Sequence, residues 1–434
     1  MRQLAIIADD LTGASDTGVQ FARKGLRTTV LFDLQNLPAD TAAVEVAVID
    51  TDSRSLPAPQ AYHQVAQAAR RVSAAGFTHL YKKVDSTLRG NLGTEIDAVM
   101  DVCACDLAVV APAFPRLGRI TVGGRHYLGG VPIDQTEIAH DPKCPVTQSD
   151  LLTLLGSQSR RKAGLLSLPV LRAGRAATRK AVGQFVAHGI QLVVCDAETA
   201  GDLQQIAATL SECRRAVLWV GSAGLAEYLP AVPGLAAGRD RAALSVSPSR
   251  KPVLLVAGSI SSTTREQVTA VQRLPGVTAV ELDPLLLLAD EQAHSAETER
   301  CRSELSAALV CGRDVTLCTG ASPDQVAAAR AQGARSGLDG AAVANRVAIA
   351  LGSIAAQVLA THDLAGVILT GGDTARAVCR HLGVSGLQLI TEVETGVPLS
   401  RLVGSRDLLA VTKAGAFGSE QTLVRALHAL KGEQ

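Results

Sequence analysis

The chain has 434 residues and a net charge of +1, with 42 lysines and arginines against 41 aspartates and glutamates. This balance argues against bulk nucleic-acid binding and against attraction to a membrane surface, because both need a strong excess of positive charge. Aromatic residues make up only 3% of the chain, which argues against a platform for stacking bases.

The length and the cysteine content narrow the class of protein further. A chain this long is expected to form two α/β domains rather than one ordinary core. We expect a cytoplasmic protein, because no apolar stretch has the unbroken length of a membrane span and the N-terminus leads directly into a strand. The nine cysteines form no CxxC pair, which favours reduced thiols over disulfides or zinc.

The first strand and the turn after it indicate where a ligand would bind. An apolar run, Leu4–Ala8, leads directly into Asp9 and Asp10, and a helix is predicted from about 15 to 24. A strand that is apolar on both faces belongs in the middle of a parallel sheet, and ligands bind outside the carboxyl ends of such strands. The two carboxylates could therefore bind hydroxyls, accept a proton or hold a metal. The alternative is a helix N-cap with a solvated neighbour.

Two further strands, predicted over 44–49 and 79–84, also end in polar clusters. Arg54 follows the first, and the segment from Lys82 to Asn91 follows the second. The alternation of strands and helices predicts parallel strands, so the three clusters are expected at one edge of the sheet. Arginine forks suit a carboxylate and aspartates suit sugar hydroxyls, so the site fits a small polyhydroxy acid. A solvated loop is the alternative for Lys82, Lys83 and Arg89.

The middle of the chain is less informative. The loop-rich stretch 112–150 could be a flap or hairpin over the site, or a plain structural excursion. Its histidines, His126 and His140, lack the spacing of a zinc site. Asp134, Glu137 and Asp141 within it could bind a metal, but a solvated surface is the expected place for them. Further along, the Gly-Ser-Ala-Gly run that begins at Gly221 lacks the GxSxG elbow of a serine hydrolase.

A second α/β domain is predicted after a linker at 231–250, where proline, glycine and serine break the periodicity. The domains are placed at 1–230 and 251–434. In the second domain, glycine turns follow three apolar strands, at Gly258, at Gly371 and at Gly415. Glycine turns at the start of helices favour phosphate, so together they predict a nucleotide site, with Lys413 as a candidate phosphate contact. For the second turn, an aspartate N-cap is the alternative.

As a set, several segments of the sequence resemble the motifs of the four-carbon acid sugar kinase family, in the family's order. These segments are IADDLTGASDTGVQFA, KKVDSTLRGN, APAFPRLGR, VGSAGLA, VAGSISSTTREQ, TGGDTA and KAGAFG. The resemblance covers essentially the full length of the chain. It implies two α/β domains, each a doubly wound sheet, with the sugar acid bound by the first and ATP by the second. It also implies phosphorylation of the terminal hydroxyl of a four-carbon sugar acid.

The resemblance assigns residues to both sites. For the sugar acid these are Asp10, Arg54 and the segment Lys83, Val84, Asp85 and Ser86, to which we add Arg89. For ATP they are Ser259, Gly371, Gly372, Asp373, Thr374 and Gly415. The ASDTGVQFA continuation resembles the D-threonate branch, although Ser15 stands where that branch commonly has asparagine. D-threonate is therefore the expected substrate, with D-erythronate, L-threonate and 3-oxo-tetronate as alternatives.

The mechanism expected from these residues is phosphoryl transfer from ATP with Mg²⁺ bridging the phosphates, and no protein residue is assigned as a metal ligand. Arg54 and Lys83 would hold the substrate carboxylate. Asp10 and Asp85 would bind hydroxyls, and Asp85 is the favoured proton acceptor. The rival classes are a dinucleotide enzyme, which the lack of GxGxxG disfavours, and a non-catalytic sugar-acid sensor. A homodimer is compatible with the sequence.

Overall fold

The computed structural model describes residues 3–32, 44–141, 143–213, 215–232, 235, 246–320, 322–404 and 407–433. The chain divides into two compact units, Met1–Arg241 and Ala242–Gln434. Most of the predicted linker at 231–250 lies outside the described residues, so the predicted domain boundaries stay a prediction.

The first unit contains eleven strands among its described residues. They are β1 Leu4–Ala8, β2 Thr28–Leu31, β3 Val46–Asp50, β4 His79–Lys83, β5 Leu107–Ala111, β6 Arg119–Val122, β7 Arg125–Leu128, β8 Val131–Pro132, β9 Lys162–Leu166, β10 Ile190–Cys195 and β11 Val217–Gly221. Its α-helices are α1 Leu11–Ala22, α2 Ala58–Ala74, α3 Leu92–Cys103, α4 Leu151–Gln158, α5 Leu168–Arg172, α6 Arg175–Ala187, α7 Ala200–Leu210 and α8 Ala223–Ala226.

Eight of these strands form one parallel sheet in the order β2-β3-β1-β4-β11-β5-β10-β9. Every residue of β1 is buried, as predicted for a strand with neighbours on both sides. After β3 the chain crosses to the other side of β1 and adds β4. The strand order therefore reverses at β1, which is where open parallel sheets bind their ligands.

The stretch 112–150 contains a separate antiparallel sheet, β6-β7-β8, in which β6 and β7 form a hairpin as the sequence allowed. Bridges from Thr121 to Ala197 and from Arg125 to Asp150 attach this sheet to the rest of the unit.

The second unit has the strands β12 Val253–Ala257, β13 Val277–Leu282, β14 Asp314–Thr319, β15 Gly366–Thr370, β16 Gly386–Glu394, β17 Val397–Val403 and β18 Leu409–Lys413. Its helices are α9 Ser262–Gln272, α10 Pro284–Ala289, α11 Glu291–Val310, α12 Pro323–Arg335, α13 Gly340–Thr361, α14 Gly372–His381 and α15 Thr422–Lys431.

The sheet of the second unit has the order β13-β14-β12-β15-β18-β17-β16. The first five strands are parallel, whereas β17 pairs antiparallel with both β18 and β16. Here the order reverses at β12, between β14 and β15. The turns at Gly258 and Gly371 follow β12 and β15 at this reversal point, and the turn at Gly415 follows the neighbouring strand β18. The predicted class of two α/β domains with doubly wound parallel sheets is confirmed, with an antiparallel pair added to the second.

Helix α13 is the one described helix that is long and apolar enough to cross a membrane by length and composition. More than half of its most apolar window, 56%, is buried within the unit. Gly352 lets it approach α14 closely, since a Cβ there would lie 2.7 Å from the Cβ of Ala377. This burial is typical of a core helix.

Two predicted elements differ from the structure. Helix α1 begins at Leu11 rather than near residue 15, because the Asp10 carboxylate accepts a hydrogen bond from the Gly13 amide and caps the helix there. The apolar run over 164–170 predicts a strand, but in the structure β9 ends at Leu166, and α5 begins at Leu168 with Pro169 in its first turn, a position that suits proline.

Candidate functional site

The carboxyl ends of β1 and β3 place a guanidinium between two carboxylates. Arg54 donates to Asp9 twice, from Nε to Oδ2 at 2.7 Å and from Nη2 to Oδ1 at 3.0 Å, and Nη2 also donates to Asp10 Oδ1 at 2.5 Å. The Arg54 amide binds the Asp9 carbonyl as well, at 3.2 Å. Burial would raise the pKa of Asp9, but the charges of Arg54, Lys82 and Lys83 outweigh burial and lower it. Both aspartates are therefore fixed in place and Asp9 is ionised.

A buried ion pair lies beside this group. Lys82 Nζ lies 2.7 Å from Glu95 Oε2, and neither side chain is more than 2% exposed. Lys82 also donates to the carbonyls of Ile7 and Lys83, and Ser53 donates to Glu95. Lys82 is therefore a buried residue that is paired inside the unit, and the solvated-loop alternative is wrong for it.

The segment after β4 is held in one conformation by Asp85. Its Oδ2 accepts from Arg89 Nε at 2.7 Å and from the Thr87 hydroxyl, and Arg54 Nη2 lies 3.9 Å from Oδ1. Burial would raise the pKa of Asp85, but Arg89 and Arg54 outweigh it and hold the pKa well below its ordinary value of 3.8. Leu88 in this segment has φ +63°, a conformation that costs free energy for a branched side chain.

Lys83 has a different environment from its neighbour. Its side chain is buried, and its ammonium lies against the first turn of α1, where a Cβ at Gly13 would collide with Lys83 Nζ and come within 2.5 Å of Asp10 Oδ1. Gly13 therefore leaves the space in which the lysine ammonium approaches the Asp10 carboxylate.

The β6-β7-β8 sheet contacts the segment after β4 through His126. His126 is fully buried, with Nε2 2.9 Å from the Ser86 carbonyl and Nδ1 2.9 Å from the Thr121 hydroxyl. Burial lowers the pKa of His126 to about 4, so the ring is neutral at physiological pH. Since only an N–H can pair with a carbonyl, Nε2 carries the proton and donates to Ser86.

Two charged residues of the 112–150 stretch also lie near the segment after β4. Asp141 lies 3.2 Å from Arg89 Nη1, so it is part of the charged cluster rather than of a solvated surface. Arg119 of β6 is only 9% exposed, and its charge interacts with that of Asp85. This stretch therefore packs against the segment after β4 and adds charged groups beside it.

The structure brings together the predicted sugar-acid residues Asp10, Arg54, Lys83, Asp85 and Arg89 at the point where the strand order reverses. Val84 differs, because its side chain belongs to the hydrophobic core and its amide binds the Gly221 carbonyl at 2.9 Å. Ser86 lies in the segment after β4, and its carbonyl accepts the hydrogen bond from His126. In the Gly221–Gly224 run, the backbone approaches β5 closely, since a Cβ at Gly221 would lie 2.6 Å from the Ala111 carbonyl oxygen.

In the second unit the three predicted nucleotide segments converge. A Cβ at Gly415 would collide with the Ser259 hydroxyl, and one at Gly258 would collide with the Thr374 hydroxyl. Gly371 has φ +96°, which strongly favours glycine, and α14 begins directly after it. Gly371, Ser259 and Gly415 thus surround the start of a helix, a position that favours anions. Gly372 and Asp373 form the first turn of that helix, and Asp373 is exposed.

Lys413 does not take the orientation expected for a phosphate contact. Its ammonium is buried and donates to the carbonyls of Ala414 at 2.7 Å, Gly415 at 2.9 Å and Phe417 at 3.1 Å. Burial lowers the pKa of Lys413 to about 7.

The described side chains do not form a metal site made by the protein alone. Within the described ranges no group of three or more histidine, cysteine, aspartate or glutamate side chains could hold an ion. The glycine turns offer Asp373 as a single exposed carboxylate. This donor set suits Mg²⁺, which keeps several waters and commonly binds one or two carboxylates together with substrate phosphates.

Three contributors were not among the residues predicted from the sequence, namely Glu95, Arg119 and His126. Each acts through a partner that is distant in the sequence, as for His126 and Ser86, which are separated by 40 residues. Arg119 is the last residue of the APAFPRLGR segment, so the resemblance could have indicated it. For His126 the only signal was its position in a loop-rich stretch next to a predicted site.

Comparison with known proteins assigns both units. Residues 4–229 match the family described as a sugar-binding N-terminal domain, and residues 254–423 match the one described as a nucleotide-binding C-terminal domain. A solved structure from Salmonella typhimurium LT2 is similar with a TM-score of 0.82 at 25% identity, covering 98% of this chain and 99% of that one.

Curated relatives match over nearly the full length. A D-threonate kinase of Bordetella bronchiseptica is 37% identical, covering 99% of this chain and 97% of the relative. A D-erythronate kinase of Heliobacterium modesticaldum is 35% identical (96% and 95%), and a 3-oxo-tetronate kinase of Cupriavidus necator is 31% identical (99% and 97%). With a sugar-binding unit, a nucleotide-binding unit and these relatives, the chain belongs to the four-carbon acid sugar kinase family.

Proposed function

We propose that this protein phosphorylates the terminal 4-hydroxyl of D-threonate, with ATP as the phosphate donor. The observation that carries the proposal is the pairing, in one chain, of a charged cluster at the reversal point of the first sheet with converging glycine turns in the second. The first suits an acid with several hydroxyls, and the second suits phosphates.

Lys83 is the proposed partner of the substrate carboxylate. The charge of Arg54 is already matched by Asp9 and Asp10, and that of Lys82 by Glu95. Lys83 forms no ion pair among the described residues, and its ammonium lies beside the Asp10 carboxylate. Arg54, expected from the sequence to share this task, is proposed to act chiefly by fixing the two aspartates, with Nη1 as the donor it can still offer to a substrate.

Asp10 and Asp85, whose paired carboxylates are still partly exposed, are proposed to bind the hydroxyls. In the transfer, the 4-hydroxyl oxygen bonds to the γ-phosphorus, the bond from that phosphorus to the β-phosphate oxygen breaks, and ADP leaves. The hydroxyl proton passes to a carboxylate and then to solvent. Asp85 is held ionised by Arg89 and Arg54, so it can accept this hydrogen bond throughout the neutral range. Asp10 is the other candidate, and its side chain is more exposed, 22% against 10%.

For the nucleotide, Ser259, Gly371, Gly372, Thr374 and Gly415 are proposed to line the phosphates, with the amides of the α14 N-terminus among the donors. Mg²⁺ would neutralise phosphate charge there, and Asp373 is the residue proposed to hold it. Phosphoryl transfer depends mainly on positioning and charge neutralisation, which these groups can provide.

D-erythronate is the second candidate substrate, because it differs from D-threonate only in the configuration of one hydroxyl and because a D-erythronate kinase is among the relatives. L-threonate and 3-oxo-tetronate are weaker candidates, and the 3-oxo-tetronate kinase relative has a lower identity to this chain. Cytoplasmic location and a homodimer stay predictions.

The test is a coupled assay of ADP release over the purified four-carbon sugar acids. We expect turnover with D-threonate at the highest kcat/KM, with D-erythronate next. Release of ADP that no sugar acid stimulates would contradict the proposal, and so would a sugar acid bound without any ATP consumption, which would instead indicate a sensor.

A further inference from the structure

Lys413 is the last residue of β18. The loop that follows it, residues 414–419, is here named the 414–419 loop. Three hydrogen bonds run from the Lys413 ammonium to carbonyl oxygens of this loop, those of Ala414, Gly415 and Phe417. The Thr264 hydroxyl of α9 lies 3.4 Å from the same ammonium. A lysine ammonium has only three N–H donors, and these four acceptors inside the unit surround it. No donor is left for a phosphate oxygen.

Helix α9 binds the same side of the loop. The Thr264 hydroxyl donates to the Gly415 carbonyl at 2.8 Å, and Gln267 Nε2 donates to the carbonyls of Phe417 at 3.0 Å and Ser419 at 2.7 Å. Both side chains are buried. Four carbonyls of the 414–419 loop are therefore held by donors inside the unit.

Two backbone amides of the same loop, unlike its carbonyls, form no hydrogen bond inside the described part of the unit. Among the described residues, the amides of Gly415 and Ala416 have no hydrogen-bond acceptor. Gly415 also packs against Ser259, and the Gly371 amide donates to the carbonyl of Lys413 at 3.0 Å. Lys413 thus contacts the Gly371 turn and the 414–419 loop directly, and Gly415 of that loop contacts Ser259 of the third segment.

We propose that Lys413 is a positioning residue for the nucleotide, which holds the carbonyls of the 414–419 loop inward and so leaves the Gly415 and Ala416 amides available to the phosphates. This inference rests on the proposed function, because it takes the loop to be part of the nucleotide site. It assigns to Lys413 no contact with the nucleotide itself.

The experiment measures binding of a non-hydrolysable ATP analogue by calorimetry, at slightly acidic pH and over a range of salt concentrations. Lys413→Met removes the ammonium and keeps the apolar stem. We expect its dissociation constant to be about tenfold higher than that of the wild type, the effect of losing one well-placed interaction. The factor should be the same at every salt concentration, because a residue that acts through the loop does not change the number of charges that contact the ligand.

Lys431→Met is the matched control. Lys431 also pairs inside the second unit, with Asp314 at 2.7 Å, but lies outside the glycine turns, so its loss should leave nucleotide affinity unchanged. Thr264→Val supplies a second variant that keeps the charge and removes one of the bonds to Gly415. We expect a dissociation constant about threefold higher, and less than additive loss in the double variant, because both side chains hold the same carbonyl.

Each outcome has a separate meaning. Unchanged affinity in Lys413→Met overturns the inference. A salt dependence that flattens in that variant also overturns it, since it indicates direct contact with phosphate. If Lys413→Met does not fold, as its melting curve would show, unchanged affinity in Thr264→Val overturns it. A wild-type protein that binds no analogue contradicts the proposed function instead.

Discussion

Arg54 and Asp9 form a two-point ion pair across the carboxyl ends of two adjacent strands, with distances of 2.7 and 3.0 Å. Asp9 is only 3% exposed, so its charge depends on this fork for compensation. The same guanidinium binds Asp10, the cap of α1, and so connects a buried charge with a carboxylate that solvent can reach.

Replacing Arg54 by lysine keeps the charge and removes the fork. We expect kcat/KM for the sugar acid to fall by at least about tenfold, because a lysine cannot hold both aspartates in their present orientation. Steady-state kinetics with D-threonate measures this. Arg172→Lys is the matched control, since Arg172 makes a similar two-point pair with Asp202 away from the site. Equal activities of the two variants would contradict the assigned role of Arg54.

Gly13→Ala tests the space between Lys83 and Asp10. Alanine inside a helix is normally favourable relative to glycine by about 0.5–1 kcal/mol, but here the new Cβ would displace the lysine ammonium. We expect KM for D-threonate to rise by about tenfold or more, with little change in KM for ATP. Gly183→Ala, in the middle of α6 with no atom near the new Cβ, should raise the melting temperature and leave both KM values unchanged.

The roles of the two carboxylates can be separated by amide substitutions. We expect Asp85→Asn to lower kcat by about 10²–10⁴-fold while affinity for an ATP analogue survives. Asp141→Asn serves as the control, because it also removes a carboxylate partner of Arg89. If Asp85→Asn keeps near-normal turnover and Asp10→Asn does not, the acceptor role belongs to Asp10.

How much of this site the sequence predicts depends on the range of the interactions. Apolar strands ending in polar residues predicted where the sugar-acid cluster and the glycine turns lie, since parallel strands share one edge. The orientation of side chains was not predictable in the same way. Lys82 and Lys83 are adjacent in sequence, yet one pairs with Glu95 inside the sheet and the other lies against Gly13.

Other features depend on contacts that no local pattern records. The start of α1 was predicted four residues late. The sequence allowed Asp10 either to cap the helix or to bind a ligand, and it did not show that Asp10 caps the helix. Lys413 points inward because its ammonium binds carbonyl groups of the following loop, and these carbonyls converge only in the folded chain. The antiparallel pair β16 and β17 was not predicted, although its strands belong to the same sheet as the glycine turns.

Gly372→Val tests the nucleotide turn. A branched side chain at the first residue of α14 should occupy the space proposed for phosphates, so we expect loss of measurable ATP-analogue binding with D-threonate binding retained. Gly340→Val makes the same change at the first residue of α13 and should bind the analogue normally. Normal nucleotide affinity in Gly372→Val would place the nucleotide elsewhere.

Lys413 also gives the protein a specific pH dependence of stability. Its folded pKa of about 7 lies below the ordinary 10.5, so between these values the unfolded chain binds a proton that the folded chain does not. Stability contributed by this group therefore rises with pH across that window, by up to about 1.4 kcal/mol per pH unit. The melting-temperature gap between wild type and Lys413→Met should shift in favour of the wild type from pH 7 upward. A gap that does not change with pH would contradict the lowered pKa.

The central claim is that the first unit binds the sugar acid and the second binds the phosphate donor. The most direct measurement is a crystal structure of the protein with D-threonate and a non-hydrolysable ATP analogue bound together. The account predicts the sugar acid against Lys83, Asp10 and Asp85, and the phosphates against Ser259, Gly415 and the turn at Gly371. A nucleotide bound against Asp10, with the Gly371 turn empty, would contradict it.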